Sequence, residues 1–210
     1  MATAQQPSIN LERVQLVRKA VLLAVVAGCI SFLLFGEARW KGGDVFHETI
    51  EWAGIGLILI CVVGRTWCSI YIAGRKVQTL VTVGPYSVSR NPLYLFSIVG
   101  AAGAGAQLGS IVLASVAGLL AWAVFFVVVR NEEAALAARF GETFRRYAAQ
   151  VPRFLPKLAL WHDAERIEVR PQLIVRTFLD ACVFLLAIPI AEGFEYLHEA
   201  GLLPALVSLP

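Results

Sequence analysis

Long apolar stretches, separated by short polar ones, dominate the chain and predict membrane-spanning helices. A helix needs about 20 residues to cross the ~30 Å hydrocarbon core of a bilayer. Residues 93–129 contain no charged side chain, and one straight helix of that length would be about 55 Å long. This stretch must therefore fold back, and we predict the bend among the glycines of residues 103–109. The whole pattern predicts five spans, at residues 17–35, 49–73, 93–107, 109–130 and 173–190.

The composition also favours a membrane protein. Apolar residues make up 58% of the chain and charged residues 16%, whereas a soluble domain has about 25% charged residues. The mean hydropathy is +0.70. The net charge is only +3, so the basic surface typical of nucleic-acid binding is missing. We predict an all-α polytopic integral membrane protein in which residues 1–210 form a single domain, with the lipid bilayer as a partner and no nucleic acid.

The cysteines and histidines give no sequence pattern typical of a metal site. The four cysteines lie in apolar stretches, without a C-x-x-C pair or a neighbouring histidine. We interpret them as small core residues and predict no bound metal. These cysteines are Cys29, Cys61, Cys68 and Cys182.

The distribution of Lys and Arg predicts the orientation in the membrane. The N-terminus and the segments after the second and fourth spans together carry 14 of these residues, and the other connections carry 2. Basic residues concentrate on the cytoplasmic side, so we expect a cytoplasmic N-terminus and an external C-terminus, in a bacterial inner membrane. Polar side chains then cluster in two cytoplasmic segments, residues 75–94 and 130–156, and a catalytic site is expected there.

The first polar segment contains a predicted helix start. Asn91 is a favoured N-cap residue, and Pro92 suits the first helical position. Free backbone N–H groups at such a start, together with Arg90, form a seat for a carboxylate or phosphate. The alternative is a capped entry to the third span, with Arg90 touching a lipid phosphate.

The second polar segment contains two adjacent carboxylates, Glu132 and Glu133, near the C-terminal end of a helix that we predict to stop at Gly141. Carboxylates at this end are unfavourable without a cation. Arg130 and Arg139 could supply it, or a bound cationic ligand could. Adjacent residues on a helix face about 100° apart, so we expect one of the two glutamates to face any one site.

These two segments carry motifs in a fixed order, with an apolar hairpin between them. The first reads Gly84-Pro85-Tyr86-x3-Arg90-Asn91-Pro92-x-Tyr94. The second reads Glu132-Glu133-x2-Leu136-x3-Phe140-Gly141, then Tyr147 and Val151-Pro152-Arg153-Phe154-Leu155-Pro156. The pair resembles the isoprenylcysteine carboxyl methyltransferase and phospholipid methyltransferase superfamily, over roughly residues 64–156. The resemblance implies that S-adenosylmethionine binds at the cytosolic side, between the proline-containing motif and the double-Glu segment.

The resemblance also implies roles for particular side chains. Arg90 and the helix start at Asn91 and Pro92 would hold the carboxylate of the cofactor, and Glu132 or Glu133 would take its ammonium or ribose hydroxyls. The implied cofactor-binding set is Tyr86, Arg90, Asn91, Pro92, Tyr94, Glu132 and Glu133.

Residues outside the cofactor set are candidates for the catalytic role. Arg153 is the candidate anchor for an anionic group of the substrate, and Tyr147 is a second candidate catalytic residue. Arg65, Arg75 and Lys76 are weaker candidates for the anchor.

Two departures from the family pattern bear on the acceptor. The family usually has His at the position of Asn91 and often Tyr at that of Phe144. Asn cannot act as a general base. An amine acceptor must lose a proton, whereas a carboxylate or thiolate need not, so we favour methylation of a carboxyl or thiol on a lipid-like, hydrophobic acceptor. The alternatives are a phospholipid amine N-methyltransferase, an NADPH-dependent membrane reductase and a non-catalytic membrane scaffold.

One charged pair lies inside the last predicted span. Arg176 and Asp180 are one helical turn apart, which permits a local ion pair. Ionisable residues at membrane depth are otherwise candidates for function, and both interpretations stay open.

Overall fold

The computed structural model describes residues 36–38, 45–73, 79–203 and 207–209, the first and last of these by their backbone alone. The predicted span 17–35 lies outside the described residues, as do Cys29, Arg75 and Lys76. These residues contain seven α-helices, α1 (Val45–Ile72), α2 (Pro85–Val88), α3 (Pro92–Ala106), α4 (Ile111–Phe140), α5 (Glu142–Gln150), α6 (Pro171–Cys182) and α7 (Ala187–Glu199).

Short elements complete the described chain. Single 3₁₀ turns cover Leu158–Leu160 and Val183–Leu186. Two three-residue strands, β1 (Gly36–Ala38) and β2 (Val207–Leu209), pair in parallel with Gly36 opposite Val207. The predicted all-α class is confirmed, because these strands contribute only six residues.

In the part of the chain that the structure describes, three helical stretches are long and apolar enough to cross a membrane. They are α1, α4 and the continuous run Pro171–Glu199 that contains α6 and α7, and α3 is a shorter apolar helix. The most apolar window of α4 has a mean hydropathy of 2.6, and none of that window is buried inside the protein. Apolar surface of this extent requires lipid around it. The protein is therefore an integral membrane protein.

The long uncharged stretch folds back into a helical hairpin, as predicted. Helix α3 ends at Ala106, and α4 begins at Ile111 after a turn in which Gly109 has a φ of 64°. Ser110 caps α4, because its Oγ accepts a hydrogen bond from the N–H of Leu113 at 3.4 Å. Gly109 supplies the left-handed backbone that this tight turn requires.

Glycines bring α3 against two different neighbours. A Cβ atom on Gly105 would lie 2.6 Å from the carbonyl oxygen of Leu113 in α4. A Cβ on Gly103 would instead lie 2.8 Å from the carbonyl oxygen of Gly54 in α1. A Cβ on Gly100 would also contact α1, where it would lie 2.5 Å from the Sγ of Cys61. Gly100 and Gly103 therefore allow α3 to pack closely on α1, whereas Gly105 allows it to pack closely on α4.

The core near the middle of α1 contains Ile58 and Val62, which pack against Ala181 of α6. Among the cysteines, Cys61 and Cys68 are fully buried and unpaired, as expected of small core residues.

Helix α6 presents its charged pair on an exposed surface. Arg176 and Asp180 are both exposed, and within residues 79–203 the structure records no ion pair between them. The possible local pair is therefore not formed.

Candidate active site

A cavity of about 400 Å³ lies between the C-terminal part of α1, the start of α3, the C-terminal part of α4 and α5. This volume falls within the range of small-molecule sites. Seven of the nine predicted site residues line it. They are Tyr86, Arg90, Asn91, Tyr94, Glu132, Glu133 and Tyr147.

Hydrogen bonds between main-chain groups, with one serine side chain, join the two motif segments on one side of the cavity. Ser89, whose hydroxyl takes part in these hydrogen bonds, is buried. Three hydrogen bonds of 2.9 Å make this connection. Arg90 N–H donates to the Pro152 oxygen, Lys157 N–H to the Val88 oxygen and Ser89 Oγ to the Phe154 oxygen. Segments some 60 residues apart in the sequence thus form one wall, because buried main-chain groups must find partners.

Glu133 is the centre of a buried polar cluster. Only 8% of this residue is exposed. Its Oε2 accepts hydrogen bonds from Arg153 Nη2 at 2.7 Å and from Arg153 Nε at 3.1 Å. Its Oε1 lies 3.4 Å from Arg90 Nη1 and accepts a bond from Asn91 Nδ2 at 3.3 Å. Two guanidinium groups therefore neutralise this carboxylate, which links both motifs.

The arginines near Glu133 in sequence do not pair with it. The guanidinium of Arg130 lies over the ring of Phe126, 5.9 Å from its centroid, and that of Arg139 over the ring of Phe140 at 5.8 Å. Of the two alternatives left open by the sequence, neither supplies the cations that pair with Glu133, because Arg90 and Arg153 reach it from other parts of the chain.

Asn91 occupies the N-cap position of α3, and its side chain makes no capping hydrogen bond. Its amide nitrogen donates instead to Glu133 and, at 3.2 Å, to the carbonyl oxygen of Arg153. A charged acceptor is the stronger partner, which explains why the predicted cap is replaced. Pro92 begins α3 and is buried, but it does not line the cavity.

Glu132 differs from its neighbour. It is half-buried, lines the cavity and accepts a hydrogen bond from the hydroxyl of Tyr94 at 2.8 Å. The Tyr94 ring is held against Phe125, with 4.9 Å between the ring centroids. Both glutamates therefore reach the cavity, where we expected one, but two arginines already bind Glu133.

Three buried donors in the cavity wall have no hydrogen-bond partner among the described residues. They are the hydroxyl of Tyr86 and the Nε atoms of Arg65 and Arg90. Buried polar groups are nearly always paired, so such atoms indicate a missing ligand or solvent. Burial, with smaller contributions from nearby ionisable groups, holds the pKa of Tyr86 well above 10.0. Its hydroxyl therefore stays protonated and can donate.

The two candidate catalytic residues occupy different places. Tyr147 lines the cavity, and its hydroxyl donates to the carbonyl oxygen of Tyr86 at 2.7 Å. Burial raises the pKa of Tyr147. Arg153 does not line the cavity. Its guanidinium binds Glu133 and lies 5.5 Å from the centroid of the Phe126 ring.

Sequence reasoning did not identify most of the apolar wall. Ile72, Leu80 and Val81 line the cavity, as does Thr177 of α6. Such residues carry no chemical pattern that separates them from membrane-facing ones. Phe144 also lines the cavity and is 5% exposed, and its departure from the family pattern was the available signal.

Arg65 is the third arginine of the site besides Arg90 and Arg139. Its Nη1 donates to the hydroxyl of Ser97, while its Nε has no partner among the described residues. From the sequence, Arg65 was only a weaker candidate for an anion anchor.

The geometry defines a class of protein: a helical membrane protein with a cavity, lined by charged and apolar side chains, between two joined motifs. The chain belongs to the phospholipid methyltransferase family, whose profile matches residues 19–143. It is also 32% identical over 94 residues to the protein-S-isoprenylcysteine O-methyltransferase of Schizosaccharomyces pombe, which covers 44% of this chain and 40% of that one. The superfamily inferred from the motifs is thereby confirmed, and the matches support a membrane methyltransferase.

Two bacterial relatives match nearly the whole chain. The cobalt-zinc-cadmium resistance protein CzcN of Cupriavidus metallidurans is 38% identical over 192 residues, which cover 91% of this chain and 88% of the relative. The nickel-cobalt-cadmium resistance protein NccN of Alcaligenes xylosoxydans xylosoxydans is 33% identical over 193 residues, with 92% and 90% covered. No solved structure gives a significant match.

Proposed function

We propose that the protein is an S-adenosylmethionine-dependent methyltransferase that acts at the cytoplasmic face of the membrane. The observation that carries this proposal is the set of buried donors without partners, on Tyr86, Arg90 and Arg65, in the same cavity as the Glu132 carboxylate. When bound, the cofactor supplies a methyl group activated by its positively charged sulfur.

The residues present fit this cofactor. Arg90 offers a guanidinium donor for a carboxylate, and Glu132 offers acceptor oxygens for an ammonium group or ribose hydroxyls. Tyr86 supplies a further donor that remains protonated. The apolar side chains of Leu93 and Leu136 suit the flat face of a purine and exclude water.

We propose that the acceptor is a carboxyl or thiol group on a lipid-like molecule. None of the described residues that line the cavity is a histidine. Asn91 is bound to Glu133, and the raised pKa of Tyr86 and Tyr147 makes both poor bases near neutral pH. Because a carboxylate or thiolate needs no base, it suits this cavity better than an amine. The exposed apolar surfaces of α4 and α6 would give such an acceptor access from the bilayer.

The first experiment measures ligand binding to the detergent-purified protein by calorimetry, with S-adenosylmethionine, S-adenosylhomocysteine and NADPH in parallel. We expect both adenosyl ligands to bind once per chain and NADPH not to bind. Binding of NADPH alone would favour the reductase, and binding of none would favour the scaffold.

The second experiment identifies the acceptor. The protein is incubated with a radiolabelled methyl donor and a total lipid extract, and the labelled product is treated with mild base. A methyl ester releases its label as methanol under these conditions, whereas a thioether or an N-methyl group keeps it. Label in a phospholipid amine would contradict the proposed acceptor class and support the phospholipid N-methyltransferase.

We propose an inner-membrane orientation with a cytoplasmic N-terminus and an external C-terminus, supported by the excess of Lys and Arg in the segments beside the cavity. Reporter fusions to the C-terminus test it. Alkaline phosphatase, which is active only outside the cytoplasm, should be active there, and a fluorescent cytoplasmic reporter should not.

A second candidate function is a role in resistance to divalent metal ions. It is supported by the two relatives named as metal-resistance proteins, which match about nine tenths of the chain. A host strain that lacks the gene should grow less well than its parent strain in the presence of zinc, cobalt or cadmium, and the wild-type gene should restore growth. Equal sensitivity with and without the gene would contradict this role.

A further inference from the structure

We infer that His47, Glu51 and Glu195 form a binding site for a divalent transition metal ion of the zinc type. The site lies at the N-terminal end of α1, where Glu195 of α7 reaches His47 and Glu51. His47 is 18 positions before Arg65 of the cavity in the same helix, which corresponds to a rise of about 27 Å. The site is therefore separate from the proposed cofactor site and does not depend on the proposed function.

The distances suit coordination of one ion. His47 Nε2 lies 3.0 Å from Glu51 Oε1 and 3.6 Å from Glu195 Oε1. One ligand atom from each of the three residues lies within 4.8 Å of the other two. In a tetrahedral site with bonds of about 2.1 Å, ligand atoms are about 3.4 Å apart. Small side-chain adjustments would therefore bring all three atoms onto one ion.

The donor set also selects a chemical class of metal. One imidazole nitrogen with two carboxylate oxygens suits zinc and neighbouring divalent transition metals, whereas calcium and magnesium prefer oxygen ligands alone. Three protein ligands leave a fourth position for water or another donor.

Packing fixes the histidine in place. His47 is 5% exposed, and its ring lies against the turn of the α3–α4 hairpin. A Cβ atom on Gly109 would lie 2.2 Å from both Cε1 and Nδ1 of His47. The glycine thus permits the ring to approach the turn, and its φ of 64° is one that glycine adopts readily. A ligand held by packing in this way loses little freedom when it binds a metal.

The hairpin turn also supports the first carboxylate. The Gln107 amide donates to the carbonyl oxygen of Glu51 at 3.0 Å, so it fixes the helical turn that carries this ligand. Helices α1 and α7 and the α3–α4 turn therefore converge at the proposed site.

The charges at this place favour a cation of more than one positive charge. The charges that act on Glu51 include those of Glu195 and Glu192 as well as of His47. A protonated imidazole can supply a single positive charge against three carboxylates. A divalent ion bound to neutral His47 would balance more of this negative charge.

The test is zinc binding by tag-free protein in detergent, after removal of metals with a chelator and then removal of the chelator. Zinc is titrated against a chromophoric chelator of known affinity. We expect one zinc ion per chain at low micromolar concentration or below. Glu51→Gln and Glu195→Gln should each weaken binding at least tenfold.

A matched control and a spectroscopic measurement sharpen the result. Glu48→Gln removes the same charge from the same region of α1, but Glu48 is exposed and outside the triad, so zinc binding should stay unchanged. Cobalt(II), used in place of zinc, should give visible absorption bands that Glu195→Gln removes. Thermal unfolding followed by circular dichroism checks each variant for folding, without reference to the cofactor.

Two results would overturn the inference. One is the absence of zinc binding by wild-type protein that unfolds cooperatively. The other is equal zinc affinity in wild-type protein and folded Glu195→Gln, which would place any bound zinc elsewhere and leave the triad as a hydrogen-bonded ion pair.

Discussion

The two adjacent glutamates should respond differently to the same substitution. Glu133→Gln removes the charge that Arg90 and Arg153 share, whereas Glu132→Gln replaces the charged acceptor of the Tyr94 hydroxyl by a neutral amide oxygen. The chemical change is identical, and the positions are neighbours in one helix. Each variant is therefore the matched control of the other.

The structure sets the size of the expected loss. The side chains of Glu133 and Arg90 are only 10% and 14% exposed, and breaking a buried ion pair costs about 3–5 kcal/mol. For a chain of this size that corresponds to a fall in the unfolding temperature of roughly 10 °C. Glu132→Gln should cost about 1 kcal/mol of stability. A charged hydrogen bond to a ligand is worth roughly 1.5–3 kcal/mol, so Glu132→Gln should weaken cofactor binding about tenfold or more.

The assay combines thermal unfolding in one detergent with calorimetric titration of S-adenosylhomocysteine at a temperature where both variants are folded. Glu133→Gln should show the larger fall in unfolding temperature. Glu132→Gln should show the larger loss of affinity for S-adenosylhomocysteine relative to its fall in unfolding temperature. Equal falls in unfolding temperature, or full affinity in Glu132→Gln, would refute the division of roles between the two carboxylates.

Three further predictions follow from individual contacts. Tyr86→Phe removes the unpartnered hydroxyl and should weaken S-adenosylhomocysteine binding three- to tenfold in calorimetry, while stability stays the same or rises. Gly64→Ala places a Cβ within 2.5 Å of the Phe96 ring and should cost about 1–3 kcal/mol in thermal unfolding; Gly56→Ala in the same helix, with open space around it, should cost nothing. Because burial raises the pKa of Tyr86 and Tyr147, folding keeps them protonated. The two protonated hydroxyls therefore make their full contribution to the free energy of unfolding below pH ~10, and this contribution should fall as the pH rises above that value. A constant unfolding temperature between about pH 9 and 11 would contradict this prediction.

The sequence predicts the parts of the fold that depend on hydrophobicity and length. The hairpin followed from a run of residues too long for one span, and the helix stop at Gly141 followed from its position after the last apolar turn. Which neighbour each glycine of α3 contacts could not be predicted, because Gly100 and Gly105 differ only in direction around one helix. That direction depends on where α1 and α4 pack.

The sequence also places the motif residues at the cavity, but it does not show how they pair. Asn91 has the identity of a helix cap, and Glu133 has arginines three positions before it and six positions after it in the same helix. Neither of these local interactions forms, because the Asn91 amide donates to Glu133 and Glu133 binds Arg90 and Arg153, which are remote from it in sequence. The cluster of His47 and Glu195 shows the same limit, since 148 positions separate its members and only the tertiary fold brings them together.

The most direct test of the account fills the cavity without changing a charge. Leu136→Trp puts an indole into the cavity wall, and the matched control Leu119→Trp puts one on an exposed face of the same helix, where the leucine is 66% exposed. We expect one S-adenosylhomocysteine bound per chain in wild-type protein and in Leu119→Trp, and at least a hundredfold weaker binding in Leu136→Trp. Wild-type affinity in a folded Leu136→Trp protein would contradict a cofactor site between the two motif segments.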